Sequence, residues 1–433
     1  MRTMAIVGSG PAGFYTAEAA LKAFGEDVRI DIIDRLPTPY GLIRAGVAPD
    51  HQSIKAVSRR YDQVAADERV RFLGNVRVGE DVGVGELTAF YDDVVLAVGA
   101  PQDRPLGIPG DDLPGVLGSA AFVGWYNGHP DFKDLEPPLD TQAVVVVGNG
   151  NVAIDCARIL AKTVDELQAS DIVNHALEPL SRSEVRQVHV LGRRGPHQAS
   201  FTLKEVGELG ELERATPLVR IGDFPPETED AALETGQRRV VEVLRRFAAR
   251  GPDASRPVTL SLDFFRRPVA VLGHGQVEAL EVMKTRVDEN GRAVDTGETE
   301  IIPCGMIVAA IGYRTASIPG VPFDEQAGRF VNEAGLIAPG LWCVGWARRG
   351  PSGTIGTNRP DGFALVERIA KETLAGDKPG RAALIALLAE RQVPVSDFDD
   401  WRNIDALEVA RARAGAPREK IVELSELRAL FEG

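Results

Sequence analysis

Two glycine-rich turns, each set between an apolar strand and the start of a helical run, constrain this chain more than any other feature. The first, Gly8-Ser9-Gly10-Pro11-Ala12-Gly13, follows Met4-Ala5-Ile6-Val7 and opens the helix-like stretch Phe14 to Phe24. The second, Gly148-Asn149-Gly150-Asn151-Val152-Ala153, follows the run Ala143 to Val147. In such a turn the first glycine makes the tight bend and the second lets a pyrophosphate approach the backbone. The third small residue packs the helix on its strand. Beyond the turn, the helix N-terminus presents free N–H groups and a positive dipole end to an anion. One turn of this kind is a weak signal that an ordinary glycine bend also satisfies. Two in the same strand–turn–helix context predict two dinucleotide sites.

The residues beyond each turn separate the two nucleotides. Asp34 closes the strand Val28 to Ile33, at the distance where a carboxylate accepts hydrogen bonds from a ribose. After the second turn no acid closes the next strand; that strand, Val188 to Leu191, follows a longer helical insertion and ends in Gly192-Arg193-Arg194-Gly195. A carboxylate would repel the 2′-phosphate of NADP, whereas paired guanidinium groups bind it in charge-assisted, forked geometry. The second site therefore reads as an NADPH site, and the first is left for FAD.

The rest of the chain alternates strand and helix signals, the pattern of an α/β fold with parallel sheets. Further strands are expected at Val94 to Val98, Met306 to Ile311 and Leu341 to Val344. At 433 residues the chain exceeds what one hydrophobic core usually fills. The Pro-, Gly- and Asp-rich segments Pro101 to Pro114 and Pro319 to Gly328 read as crossings between domains. This predicts a discontinuous FAD domain of residues 1–105 and 321–433, with an NADP domain of residues 106–320 inserted into it. The last fifty residues read as charged, amphipathic helices without identifiable chemistry.

Charge and cysteine content exclude several function classes. A formal net charge of −14 argues against a nucleic-acid partner, which needs a basic footprint. Cys156, Cys304 and Cys343 lie far apart, so neighbouring cysteines supply no metal site, iron–sulfur cluster or redox dithiol. No apolar run approaches a membrane span, and the chain enters its first strand at Met4 without room for a signal peptide. The expectation is a cytoplasmic protein.

A third glycine-rich region, Gly350-Pro351-Ser352-Gly353-Thr354-Ile355-Gly356-Thr357-Asn358, follows Leu341-Trp342-Cys343-Val344-Gly345-Trp346. A helix starting near Thr354 would point its N-terminus at a flavin and stabilise negative charge there. Trp346 fits beside a flavin and fits a core tryptophan equally well.

These segments, with Leu36-Pro37-Thr38-Pro39-Tyr40-Gly41-Leu42-Ile43-Arg44, Gly46 to His51 and Phe122 to Asn127, resemble adrenodoxin reductase and the bacterial NADPH–ferredoxin reductases similar to it. The resemblance spans most of the chain. It implies two Rossmann-like dinucleotide-binding domains, an architecture like that of disulfide reductases but lacking their dithiol. It implies FAD contacts at Gly8, Gly10, Ala12, Gly13, Asp34, Leu42, Val78, Trp346, Gly353, Thr354 and Ile355. It implies NADP contacts at Arg104, Asn149, Gly150, Asn151, Val152, Arg193, Arg194, Glu205 and again Gly353. His51 and Asp155 resemble family residues near the flavin and nicotinamide, where they would tune proton balance and ring placement. For His51 a buried, hydrogen-bonded role is an equal alternative. Asp34 and Tyr40 stand where the family often has Glu and Trp, both conservative changes.

The activity so implied passes electrons from NADPH through FAD to a small acidic iron–sulfur ferredoxin, which would supply a cytochrome P450 or similar consumer. A thioredoxin-reductase type would need a CxxC pair, which the chain does not have. An NADPH oxidase or flavin monooxygenase, delivering electrons to oxygen, is the alternative enzyme; a cofactor-bearing sensor without turnover is the alternative outside enzymes. For the acceptor, the run Gln237 to Arg250 predicts a helix with Arg238, Arg239, Arg245, Arg246 and Arg250 on one face. Val240, Val241, Leu244, Phe247 and Ala248 occupy the other. Most charge runs are simply solvated faces, yet this stripe is the local basic patch an acidic ferredoxin would need.

Overall fold

Successive side chains of a strand point to opposite sides, so a strand covered on both faces must be apolar at every position. Met4 and Ile6 enter one buried cluster with Phe14, Ile30, Ile32 and Trp342, while Ala5 and Val7 enter a second with Ile33, Leu73, Val94 and Leu96. The computed structural model, which describes residues 1–432, places that strand, Arg2–Val7, inside a six-stranded sheet. The order across the sheet is Leu336–Ala338, Leu341–Cys343, Asp93–Leu96, Arg2–Val7, Val28–Ile33, Val70–Leu73. All neighbours are parallel except Leu336–Ala338, which runs antiparallel to Leu341–Cys343. Arg2–Val7 lies between its successor on one side and Asp93–Leu96 on the other, so the first glycine turn leaves the sheet where the strand order reverses. In open α/β sheets that is where ligands bind.

A second unit repeats the plan. Its sheet runs Val116–Gly118, Met306–Ala309, Ala143–Val147, Gln187–Leu191, Val258–Asp263, Ala215–Val219, parallel throughout. Ala143–Val147 holds the equivalent place, so the second glycine turn also emerges at an order reversal. One face is covered by a three-stranded antiparallel sheet, Arg266–Leu272, Ala279–Val287 and Ala293–Pro303, which the sequence pattern does not reveal. Val271, Leu280, Val282 and Ile302 from it pack with Val145, Val147 and Ile307.

The boundaries between the units differ from the expected ones. The first comprises Met1–Gln102, Asn127–Pro130 and the chain from Tyr313 on; the second comprises Asp103–Tyr126 and Asp131–Gly312. Residues before 321 belong to the first unit because Ile318 and Val321 are buried with Phe330 and Leu341 in its core. Asp103 belongs to the second because its carboxylate accepts the N–H groups of Ala120 and Ala121 at the start of the helix Ser119–Asn127. Asn127 is drawn to the first unit, where Lys55 donates to its Oδ1 at 3.2 Å. The final segment forms the helices Arg381–Glu390, Phe398–Ala410 and Leu424–Ala429. Among the described residues no helix is long and apolar enough to cross a membrane.

Candidate functional site

In the first turn the three glycines meet three different surroundings. A Cβ on Gly8, whose φ is 109°, would lie 2.5 Å from the carbonyl oxygen of Ala97, and one on Gly13 would lie 2.0 Å from that of Gly8. A Cβ on Gly10 would meet nothing within 4 Å. Two of the glycines are thus demanded by the protein's own backbone, and the middle one is not. Its open side is a cradle a pyrophosphate fits. Gly10 caps the helix Pro11–Phe24 without a side-chain bond, and the first turn carries no acid, so the N–H groups and dipole remain available to an anion.

Asp34 is held facing that turn. Its Oδ2 accepts from the N–H of Ser9 at 2.8 Å and the Ser9 hydroxyl at 2.5 Å, and its Oδ1 accepts from the N–H of Leu36 at 3.0 Å. Oδ1 keeps lone-pair capacity for a ribose hydroxyl. Ser9 is a positioning residue that the motif alone does not single out. Tyr40, at φ 84°, donates its N–H to Ser9 O, and the α-carbon of Gly10 lies 3.1 Å from a Cβ placed on Gly41. The adjoining segment brings Leu42 out as a 45% exposed leucine. Val78 sits half-buried in a tight turn bridged to Val82.

The late glycine-rich region meets the same place. Gly345 has φ 66°, and a Cβ there would lie 2.7 Å from Ala12 Cβ, so two residues far apart in sequence are in close approach. Trp346 is half-buried and stacks on Tyr313 with centroids 6.0 Å apart, its Nε1 donating to Ser352 O at 3.0 Å. The core tryptophans are instead Trp125, Trp342 and Trp401, each no more than 5% exposed. A 3-10 turn, Ile355–Thr357, begins next to Thr354 and runs into the helix Asn358–Glu372. Arg349 fixes this loop: it donates to Ser352 O, Thr357 Oγ1 and Asn358 Oδ1 and pairs with Asp361. Gly353 and Thr354 are exposed on it and Ile355 is half-buried.

The second turn has the same signature. A Cβ on Gly148 would strike Ala310 O at 2.3 Å, one on Gly150 would meet nothing within 4 Å, and the third position is the fully buried Ala153. The helix Asn151–Ala161 starts here, again without a side-chain cap or an acid in its first turn. Asn149 O accepts the N–H of Ser200 and Asn151 Oδ1 accepts that of Thr202, which draws the helix Leu203–Glu208 to the turn. Glu205, buried on that helix, accepts from the Thr202 hydroxyl. Asn149 also packs against Gly192, directly before Arg193 and Arg194. Arg193 is exposed and Arg194 half-buried, and neither guanidinium pairs with an acid among the described residues. Such unneutralised forks suit a phosphate. Arg104 donates its N–H to Gly312 O where the chain enters the second unit.

A family model described as pyridine nucleotide-disulphide oxidoreductase matches residues 2–194, a span that contains both turns and the arginine pair. The chain is 43% identical to the mitochondrial NADPH:adrenodoxin oxidoreductase of Homo sapiens, over 98% of its length and 90% of the human protein. It is 41% identical to the NADPH-ferredoxin reductase FprA of Mycobacterium tuberculosis, over 98% of both chains. The solved structure of FprA in complex with NADPH superposes with a TM-score of 0.96 at 39% identity, covering both chains completely. The chain belongs to the adrenodoxin reductase family.

Within this family member, three expectations are refined. His51 is buried and forms the N-terminal boundary of the short helix Gln52–Lys55, its N–H bonded to Ala48 O. Asp155 pairs at 3.0 Å with Arg158, a 1% exposed arginine that also reaches Glu208 at 3.3 Å. The Asp155–Arg158 pair lies within the helix Asn151–Ala161, and it is Arg158 that reaches the neighbouring helix Leu203–Glu208 through Glu208. The basic stripe divides. The helix runs Thr235–Arg250 and buries Val240, Val241, Leu244 and Phe247 as expected, with Val243 in addition, while Ala248 is only half-buried. Arg238 donates to the carbonyl oxygens of Asp230, Ala231 and Leu233, and Arg245 pairs with Asp230 and stacks on Phe224, so both are committed within the protein. Arg239, Arg246 and Arg250 remain exposed, with Glu242 between them. Arg238 and Arg245 sit a helical step of about 100° away from Arg239 and Arg246, near enough for the sequence to merge the two rows.

Cys156, Cys304 and Cys343 are each buried and unpaired, and burial pushes the thiols of Cys304 and Cys343 up to about 12. Thiols held so strongly neutral do not act as redox nucleophiles.

Proposed function

We propose that this protein is an FAD-dependent NADPH–ferredoxin reductase. The observation that carries the reading is its 41% identity to an NADPH-ferredoxin reductase over 98% of both chains, joined to a fold that keeps the open-sided glycine at both nucleotide turns. When bound, FAD supplies the exchange between a two-electron hydride from NADPH and a one-electron acceptor. The residues of the first unit hold and orient it: Gly8, Gly10, Ala12 and Gly13 form the pyrophosphate turn, and Asp34 faces the ribose. Leu42, Val78, Trp346, Gly353, Thr354 and Ile355 enclose the rest. In the second unit Asn149, Gly150, Asn151 and Val152 take the coenzyme pyrophosphate, Arg193 and Arg194 select the 2′-phosphate, and Arg104 and Glu205 border the site. The mechanism requires no side-chain nucleophile. His51 and Asp155 belong to this reading as residues that tune the two rings' surroundings.

The partner in this reading is a small acidic iron–sulfur ferredoxin that docks on Arg239, Arg246 and Arg250 and supplies a cytochrome P450 or similar consumer. Three unpaired thiols fit a reducing compartment, and the reading places the protein in the cytoplasm. The test is NADPH oxidation by the purified yellow protein, in air and without it, with and without each ferredoxin of the same genome. A ferredoxin that raises turnover at least about tenfold, measured as cytochrome c reduction, supports the reading. Oxygen consumption that accounts for all NADPH used, with no response to any ferredoxin, supports an oxidase instead.

A further inference from the structure

The turn carrying Arg193 and Arg194 continues through Gly195 into the short turn Pro196–Gln198, where His197 Nε2 lies 2.7 Å from Asp230 Oδ1. The same carboxylate receives a two-pronged ion pair from Arg245, Nε to Oδ2 at 2.7 Å and Nη2 to Oδ1 at 3.0 Å. Arg245 belongs to the helix Thr235–Arg250; its guanidinium lies 4.7 Å from the centre of the Phe224 ring and donates to Pro225 O at 2.8 Å. The three side chains are only 11%, 14% and 16% exposed for His197, Asp230 and Arg245, so water screens their contacts little. The Arg245 fork holds the Asp230 carboxyl below the usual carboxylate range, against the effect of burial and with His197 helping.

We infer that Asp230 is a positioning residue for the coenzyme's 2′-phosphate: by joining His197 to Arg245 it fixes the Arg193–Arg194 turn against the helix Thr235–Arg250. The inference rests on the reading that Arg193 and Arg194 take that phosphate. A forked guanidinium–phosphate contact needs two N–H groups aligned at once, so a turn that shifts slightly loses one of them. The carboxylate supplies rigidity without cancelling the field of the arginine pair, because Arg245 already neutralises it.

Asp230→Asn keeps the side chain's size and removes its charge. KM for NADPH and NADH and kcat are measured with ferricyanide, which needs no protein partner. KM for NADPH is expected to rise about fivefold, near 1 kcal/mol, while KM for NADH and kcat stay unchanged. In an Arg193→Ala/Arg194→Ala background the same substitution is expected to add nothing, because the groups it positions are gone. His197→Ala should reproduce the effect, and His197→Gln, which retains a donor, should restore KM to within about twofold. Equal losses on both coenzymes, or an unchanged KM for NADPH, in Asp230→Asn overturn the inference. An Arg193→Ala/Arg194→Ala protein with the parent's KM for NADPH overturns the phosphate reading beneath it, and the two failures are told apart by that variant alone.

Discussion

Arg44 and Glu408 meet as a forked ion pair across 364 residues of sequence, Nη1 to Oε2 at 2.8 Å and Nη2 to Oε1 at 2.5 Å. Glu408 is fully buried, and its Oε1 also accepts the N–H of Ile421 at 2.9 Å. Burial would raise this carboxyl, yet Arg44, with Ile421 and Arg418, holds it below its ordinary value. The guanidinium of Arg44 lies 5.2 Å from the Trp401 ring centre, and Trp401 meets Tyr40 edge-on at 5.6 Å. The helix Phe398–Ala410 thereby clamps the segment that presents Leu42. Glu408→Gln leaves a buried guanidinium without its counter-charge, which costs about 3 kcal/mol, and the protein is expected to release FAD faster on dilution. Because the folded carboxyl is depressed, this contribution is present above the ordinary carboxylate range and lost as pH falls through the folded value. Urea unfolding followed by flavin fluorescence checks both effects; an unchanged midpoint would remove the clamp from consideration.

The glycines of each turn separate fold from binding. Gly13→Ala drives a methyl to within 2.0 Å of a backbone oxygen and is expected to give insoluble or colourless protein. Gly10→Ala and Gly150→Ala add a methyl to open space at negative φ, −81° and −119°. They are expected to leave the thermal stability of the apo-protein within about 0.5 kcal/mol of the parent apo-protein. Gly10→Ala should lower FAD affinity at least about tenfold, and Gly150→Ala should lower NADPH affinity alone by a similar factor. Titration of the apo-protein with FAD, and of the holoprotein with NADP, distinguishes them. Full FAD affinity in Gly10→Ala would move the pyrophosphate elsewhere.

The parts legible directly in the sequence are those whose signal is local. Met4 to Val7 and Ala143 to Val147 stand out because strands buried on both faces have no polar positions. Each glycine turn is contiguous with the strand that feeds it. The antiparallel sheet escapes such a reading because Ala293–Pro303 is mostly exposed and its Gly297-Glu298-Thr299-Glu300 reads as loop. Ala215–Val219 escapes it because Pro217 argues against a strand, and it is tolerated here because this strand lies at the sheet edge. The approach of Gly345 to Ala12, the hold of Ser9 on Asp34 and the binding of Arg245 by Asp230 depend on contacts that no periodicity records.

Glu18 gives a pH dependence of known sign. It joins three helices, pairing with Lys22 at 2.7 Å, Arg60 at 2.6 Å and Arg359 at 3.5 Å. Burial would raise its carboxyl, but the hydrogen bonds and charges of Arg60 and Lys22 outweigh that and lower it from 4.5 to about 2. The folded value is the depressed one, so the contribution is fully present above 4.5 and disappears as pH falls towards 2. Arg60 and Lys22 are well exposed, which limits the gain, and Glu18→Gln is expected to cost about 1 kcal/mol near neutral pH. The difference between parent and variant in urea midpoint should narrow steadily below pH 4.5. A constant difference across that range would assign the loss to packing instead of charge.

The exposed row Arg239, Glu242, Arg246 and Arg250 falls on one side of its helix at spacings of three and four residues, while Arg238 and Arg245 brace the helix against Asp230 and its neighbours. Only the first row is available to an acidic partner in a chain of net charge −14. Reversing Arg239 and Arg246 to Glu is therefore expected to slow ferredoxin reduction strongly at low ionic strength and weakly at high, since charge steering is screened over about 10 Å at 0.1 M salt. Glu242→Lys, which completes the stripe, should speed it. NADPH-to-ferricyanide turnover should not change in any of these proteins, because none of the three side chains touches the coenzyme turn in the second unit. Substituting Arg245 in the same way should instead disturb NADPH binding, because its carboxylate partner also holds His197. Stopped-flow rates at two salt concentrations separate the rows. Unaltered ferredoxin kinetics in the Arg239→Glu/Arg246→Glu protein at low salt would place the docking surface on another face.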